Sequence, residues 1–106
     1  MNLNEISKKL GQVSDVYAEK FGIHRDDDWF VLKIQEELGE LSSVYLKLTQ
    51  RARVGEATKT ELDKNLRDEI ADVVAMTLLF AKHRGIDVEQ AIENKWFRYL
   101  QKNTKV

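Results

Sequence analysis

Residues 34–41 read Ile-Gln-Glu-Glu-Leu-Gly-Glu-Leu, and residues 68–75 read Asp-Glu-Ile-Ala-Asp-Val-Val-Ala. Each stretch sets two acids three residues apart, Glu37 with Glu40 and Glu69 with Asp72, beside apolar residues. At about 100° per residue, the acids of each pair are about 60° apart on one helix face. Val44 projects between the first pair and Met76 between the second. Both pairs therefore sit on the shoulder of an apolar stripe, away from the fully solvated side.

The surrounding chain extends both stretches into long helices. Ile34, Leu38, Leu41, Tyr45 and Leu48 recur at steps of three and four, which predicts a helix from about Trp29 to about Ala52. Leu62, Leu66, Ile70, Val73, Thr77 and Phe80 predict another, stopping near Gly85. Arg53 to Thr58, with Gly55, is the break between them, and Thr58 with Glu61 has capping-box spacing. Upstream, Leu3, Ile6, Leu10, Val13, Tyr17 and Phe21 mark one face of a first helix, which Gly22 ends. Gly22 to Asp28 reads as a loop, with Asp26 to Asp28 as caps. Asp87 with Gln90 opens a fourth helix, Val88 to about Lys102. No strand pattern, linker or low-complexity tract interrupts this order. The expectation is an all-α, four-helix bundle in one domain, residues 1–106, with its small core completed by oligomerisation.

The composition agrees and excludes several classes. The chain has no proline and five glycines, and 42% of its residues are hydrophobic, which suits long helices. Seventeen basic and 18 acidic residues leave a net charge of −1, with no global attraction to nucleic acid or to an anionic membrane. The absence of cysteine excludes disulfides and thiolate metal sites. The start Met-Asn-Leu-Asn-Glu-Ile-Ser-Lys-Lys lacks the apolar run of a signal peptide, and no stretch has the length of a membrane span. A cytoplasmic protein is expected.

The two long helices also correspond at an offset of 32 residues. Ile34 matches Leu66, Leu38 matches Ile70, Leu41 matches Val73, Val44 matches Met76 and Leu48 matches Phe80, while Glu37 matches Glu69 and Glu40 matches Asp72. Four carboxylates converging between two such helices repel one another and resist desolvation. Protonation or a cation must relieve them. Oxygen-only ligands suit a hard divalent ion, magnesium with manganese as a substitute, and argue against zinc or copper. Either acid pair alone would be ordinary decoration of a solvated face. Two pairs in matching positions make a metal site the competing reading.

Glu36-Glu37-x-x-Glu40 followed after 28 residues by Glu69-x-x-Asp72 resembles the motif of the MazG-like all-α nucleotide pyrophosphohydrolases. Asn94-Lys95-Trp96-Phe97-Arg98-Tyr99 resembles the basic stretch that follows the third helix in that family. The likeness runs from about Asp28 to Tyr99. It implies hydrolysis of a nucleoside triphosphate to the monophosphate and pyrophosphate. It implies that Glu37, Glu40, Glu69 and Asp72 ligate magnesium, and that Glu36 helps orient or deprotonate the attacking water. It also implies a homodimer or homotetramer.

The leaving pyrophosphate needs cations besides the metal. Lys95 and Arg98, three apart on helix four, are the candidates, with Lys33, one turn before Glu37, as a third. Each also reads as an ordinary solvated charge. Trp29, His24 and Asn94 are available to hold the base, although Trp29 reads equally well as a core anchor.

Three rivals remain at this point. A di-iron bundle would need Glu-x-x-His pairs, and neither His24 nor His83 supplies one. A non-catalytic helical dimerisation or interaction module would leave the four acids solvated and replaceable. A dUTP- or phosphoribosyl-ATP-specific pyrophosphatase would share the acidic motif. The gap between the acid pairs is long, and the role of its Arg51–Lys59 connection is open.

Overall fold

The computed structural model describes residues 1–100, and they form an all-helical chain without strands. Helix α1 spans Leu3–Phe21, α2 Asp27–Leu48, α3 Lys59–His83 and α4 Val88–Trp96, followed by a 3-10 turn, Phe97–Leu100. Two compact units result. One contains Met1–His24 and the described chain from Leu78 onward; the other is Arg25–Thr77.

Helix ends follow from side chains that satisfy orphan backbone groups. Asn2 caps α1 by accepting from the Glu5 N–H at 2.9 Å. Gly22 ends it at φ 62°, where a side chain would be strained, and the Ile23 N–H returns to the Ala18 carbonyl at 2.9 Å. Asp26 caps α2 through the Trp29 N–H at 2.8 Å, so the helix begins two residues before the expected Trp29.

It also ends at Leu48, short of Ala52. The Thr49 hydroxyl donates back to the Tyr45 carbonyl at 3.0 Å, Gln50 enters the left-handed region at φ 60°, and the Arg51 N–H donates to the Leu46 carbonyl at 2.8 Å. These bonds terminate the helix with local polar groups that hydrophobic spacing cannot reveal.

The expected capping box at α3 is complete. The Glu61 N–H donates to Thr58 Oγ1 at 3.1 Å and the Thr58 N–H to Glu61 Oε1 at 3.1 Å. Thr58→Ala removes the hydroxyl that accepts from the Glu61 N–H and donates to Glu61 Oε1, and leaves only the backbone side of the exchange. The expected loss is about 1 kcal/mol, or a fall of about 5 °C in Tm; an unchanged thermal melt would show that the cap contributes nothing. At α4 only half of the box forms. Asp87 accepts from the Gln90 N–H at 3.1 Å, but the Gln90 amide turns forward to Asn94 at 2.9 Å. The helix tightens to the 3-10 turn after Trp96, and Lys102, the expected end, lies outside the described residues.

Packing redraws the apolar faces. In α1 the buried positions are Gly11 and Ala18, while Val13, Tyr17 and Phe21 are exposed, against expectation. Small residues there admit a close neighbour: a Cβ at Gly11 would lie 3.0 Å from Lys82 Cε. Leu78 and Ala81 are also buried in this unit, and α1 touches α4. In Arg25–Thr77 the buried anchors are Phe30 and Leu62. Leu48, Val54, Ala57 and Leu62 line a shallow cleft where the Arg51–Lys59 connection crosses the helix ends.

The correspondence at offset 32 survives residue by residue. Ile34 and Leu66, Leu41 and Val73, and Val44 and Met76 are all half-buried; so are Glu37 and Glu69. Leu38 and Ile70 are both exposed, so neither belongs to the inward stripe that spacing assigned it.

Candidate functional site

The acids of α2 and α3 meet within the Arg25–Thr77 unit. Ligand oxygens of Glu37, Glu40 and Glu69 all lie within 4.8 Å of one another. Among the described residues this is the group of His, Asp and Glu side chains that reaches such geometry. Glu37 and Glu69 are half-buried, and each turns one carboxylate oxygen, Oε2, away from solvent with no hydrogen-bond partner. Glu40 is exposed at the rim, as is Asp72. Asp72 stands outside the three-residue cluster, but its charge is felt at Glu37 and Glu69.

The electrostatics follow from this crowding. Burial, then the charges of Glu40 and Asp72, push the Glu37 carboxyl up from its ordinary 4.5 to about 7. A proton on Glu37 would donate to Glu69, which adds to the rise. Burial foremost also raises Glu69. Two buried oxygens without partners, in a set of carboxylates alone, fit a hard divalent cation: the ion would supply the charge and the contacts that the side chains lack.

A pH dependence follows. Between 4.5 and about 7 the folded protein binds more protons at Glu37 than the unfolded chain does. Stability of the metal-free protein therefore falls as pH rises through that window, because the folded pKa is raised. Partial exposure of the cluster discounts the full shift, leaving an expected loss of about 1–2 kcal/mol. Urea melts at pH 5 and pH 7.5 in chelator, with and without Glu37→Gln, check it; equal pH slopes in the two proteins would contradict this origin.

The other expected site residues are distributed more widely. Lys33 pairs with Glu36 at 3.4 Å and stands 5.9 Å from the centre of the Trp29 ring. Trp29, Lys33, Glu36 and Glu40 follow one another at helical spacing along one flank of α2. Trp29 is half-buried and meets Phe30 edge-on at 5.1 Å, so its ring serves packing at one edge. Asn94, Lys95 and Arg98 belong to the other unit. Asn94 accepts from Gln90, and Arg98 donates to the Tyr99 hydroxyl at 2.9 Å with its guanidinium 4.9 Å from that ring. Asn94 and Arg98 line a shallow pocket with Glu93, Phe97 and Leu100.

Fold and site define an all-helical protein with an oxygen-only carboxylate cluster between two of its helices. More particularly, the chain belongs to the MazG-like family, whose model matches residues 32–105. That match includes every acid of the cluster; the MazG-like family points to the NTP pyrophosphatase superfamily and is typically metal-dependent. No curated protein and no solved structure matches this chain. Among the described residues no helix is long and apolar enough to cross a membrane.

Proposed function

We propose that this protein hydrolyses a nucleoside triphosphate, ribo- or deoxyribo-, to the nucleoside monophosphate and pyrophosphate in the presence of magnesium. The observation that carries this reading is the pair of buried, partnerless oxygens on Glu37 and Glu69 beside Glu40. Glu37, Glu40, Glu69 and Asp72 would hold the ion. Bound magnesium, or manganese in its place, would offset the charge of the polyphosphate and make a water acidic enough to attack phosphorus.

The chain's own groups do the rest. The attacking oxygen adds to the α-phosphorus, the bond to the bridging α–β oxygen breaks, and pyrophosphate departs. Glu36, next to the cluster and still solvent-exposed, orients that water and accepts its proton. Lys33 exchanges Glu36 for a phosphate oxygen. Trp29, one turn further back, offers a ring face to the base. The 11-residue step from Trp29 to Glu40 spans about 16 Å of helix, a length suited to a base, a sugar and a triphosphate in that order. Asn94, Lys95 and Arg98 stay the polar and cationic candidates for the leaving group on their sequence pattern. Self-association is part of the reading, because the buried apolar residues among those described are few: Ala18, Phe30, Leu62, Leu78 and Ala81.

Phosphorus NMR of reactions with a panel of ribo- and deoxyribonucleoside triphosphates tests the proposal. Pyrophosphate and monophosphate are expected. Orthophosphate as the first product would overturn the site of cleavage. No turnover, together with no magnesium effect on Tm, would leave a helical interaction module. The same panel, extended to dUTP and phosphoribosyl-ATP, separates the narrower specificities.

A further inference from the structure

The cleft under the connection from α2 to α3 has a volume of about 380 Å³ and lies within the Arg25–Thr77 unit. That is at the lower end of the size of small-molecule sites. Its apolar lining is aliphatic: Leu62 is buried, and Leu48, Val54 and Ala57 are half-buried, so part of each still meets solvent. Lys47, Gln50 and Lys59 supply its polar side chains. Among the described residues that line it, none is aromatic and none is acidic. The cleft is separate from the acid cluster. Lys47 and Leu48 are seven and eight residues beyond Glu40, about 10–12 Å along the helix, and Lys59 is ten residues before Glu69, about 15 Å.

Two independent observations point to a ligand there. The first is the state of its lysines. Among the described residues neither Lys47 nor Lys59 has a side-chain ion pair or hydrogen bond, unlike Lys33 with Glu36 and Lys64 with Asp68. Glu61 is held by Thr58 in the capping box, and neither it nor Glu56 lines the cleft. Lys47 is also half-buried, and a partly desolvated ammonium without a counter-charge attracts an anion more strongly than one in open water. The second observation is Gln50, at φ 60°. The other positive-φ positions among the described residues, Gly22, Gly55 and Gly85, all carry glycine, which takes this conformation without the steric cost of a Cβ. A side chain kept at that cost, and lining a cleft, marks a position where the side chain is used.

We propose that this cleft binds a small amphipathic anion, a short aliphatic body that ends in a carboxylate or a phosphate. The body covers Leu48, Val54, Ala57 and Leu62 and takes their remaining apolar surface out of water. The oxyanion accepts hydrogen bonds from the Lys47 and Lys59 ammonium groups and from the Gln50 amide. A nucleoside triphosphate fits poorly, because the lining has no ring to stack on a base and no carboxylate to hold a metal. Occupancy joins the end of α2 to the start of α3, so the ligand stabilises the folded connection by linkage. The proposal rests neither on the metal cluster nor on the proposed reaction.

Amide NMR titrations of the protein in chelator, with octanoate and with octyl phosphate, test it. At millimolar concentration at least one of the two is expected to shift the amide signals of Gln50, Val54 and Ala57, and the tighter one names the head group. Octanol has the body without the charge, and acetate the charge without the body; both are expected to bind about tenfold more weakly. Lys47→Gln is expected to raise the Kd about fivefold. Gln50→Gly is expected to raise Tm by about 4 °C and yet raise the Kd about threefold; a structural role alone would move only Tm. Silence at the connection with both anions overturns the proposal. So do octanol binding as tightly as the anions, shifts centred on the exposed Val13, Val16 and Tyr17 of α1, and Lys47→Gln and Gln50→Gly variants that bind as the native protein does. None of these readouts involves magnesium or triphosphate turnover, so failure here and failure of the proposed reaction are distinguishable.

Discussion

Alanine at Glu69 or at Glu40 is expected to lower triphosphate turnover on the order of a thousandfold and to abolish magnesium stabilisation. Glu69 supplies one of the two solvent-shielded, partnerless oxygens, and Glu40 completes the group of ligand atoms within 4.8 Å. Removing either leaves too few carboxylates to hold the ion against water. In the native protein, magnesium at about a hundredfold excess over its Kd adds about 2.7 kcal/mol by linkage, a rise of about 10–20 °C in Tm for a chain of this size. Thermal melts with and without magnesium, run beside phosphorus NMR, check both effects. An alanine variant that keeps the magnesium-dependent rise would remove that residue from the site. One that loses turnover but keeps the rise would act on the substrate instead.

Glu37→Gln is expected to act in opposite directions on stability and on activity. Burial and the charges of Glu40 and Asp72 resist ionisation of Glu37. At pH 7.5 the neutral amide relieves that repulsion and donates to Glu69, so the metal-free protein gains about 1 kcal/mol, an increase of about 5 °C in Tm. The amide is a poor substitute for a charged ligand, so magnesium response and turnover both collapse. Stability surrendered at a functional cluster is a common trade. Urea denaturation in chelator at pH 7.5 measures the first effect. A less stable metal-free variant would mean that Glu37 holds the fold together and is not a strained ligand.

Much of the fold is legible in the residue pattern, because helix starts and stops are local. Gly22, Asp26, the Thr58–Glu61 box and Asp87 act within a few residues of themselves. The end of α2 was not legible, since Thr49, Gln50 and Arg51 stop it through bonds that compete with the helix ladder. The acid cluster was legible from periodicity and from the matched offset of the two helices. The unequal standing of its members was not. Glu37 and Glu69 are half-buried, Glu40 is exposed, and the exposed Asp72 stands outside the cluster, a difference set by rotation of each helix about its axis. Spacing brings an acid to within tens of degrees of a face, and packing decides which side of the line it falls.

By itself the sequence determined that the chain is helical, where three of the four helices begin, and that two pairs of acids ride on the shoulders of two matching helices. Those properties depend on hydrogen bonds and on angles within a turn or two of the backbone, so neighbours in the chain settle them. Only the tertiary structure decided that oxygens from Glu37, Glu40 and Glu69 share one space, and that Leu38, Tyr45 and Ile70 face outward while their neighbours at the same spacing face in. Those properties depend on how one helix is rotated against another, and that rotation balances burial over the entire contact.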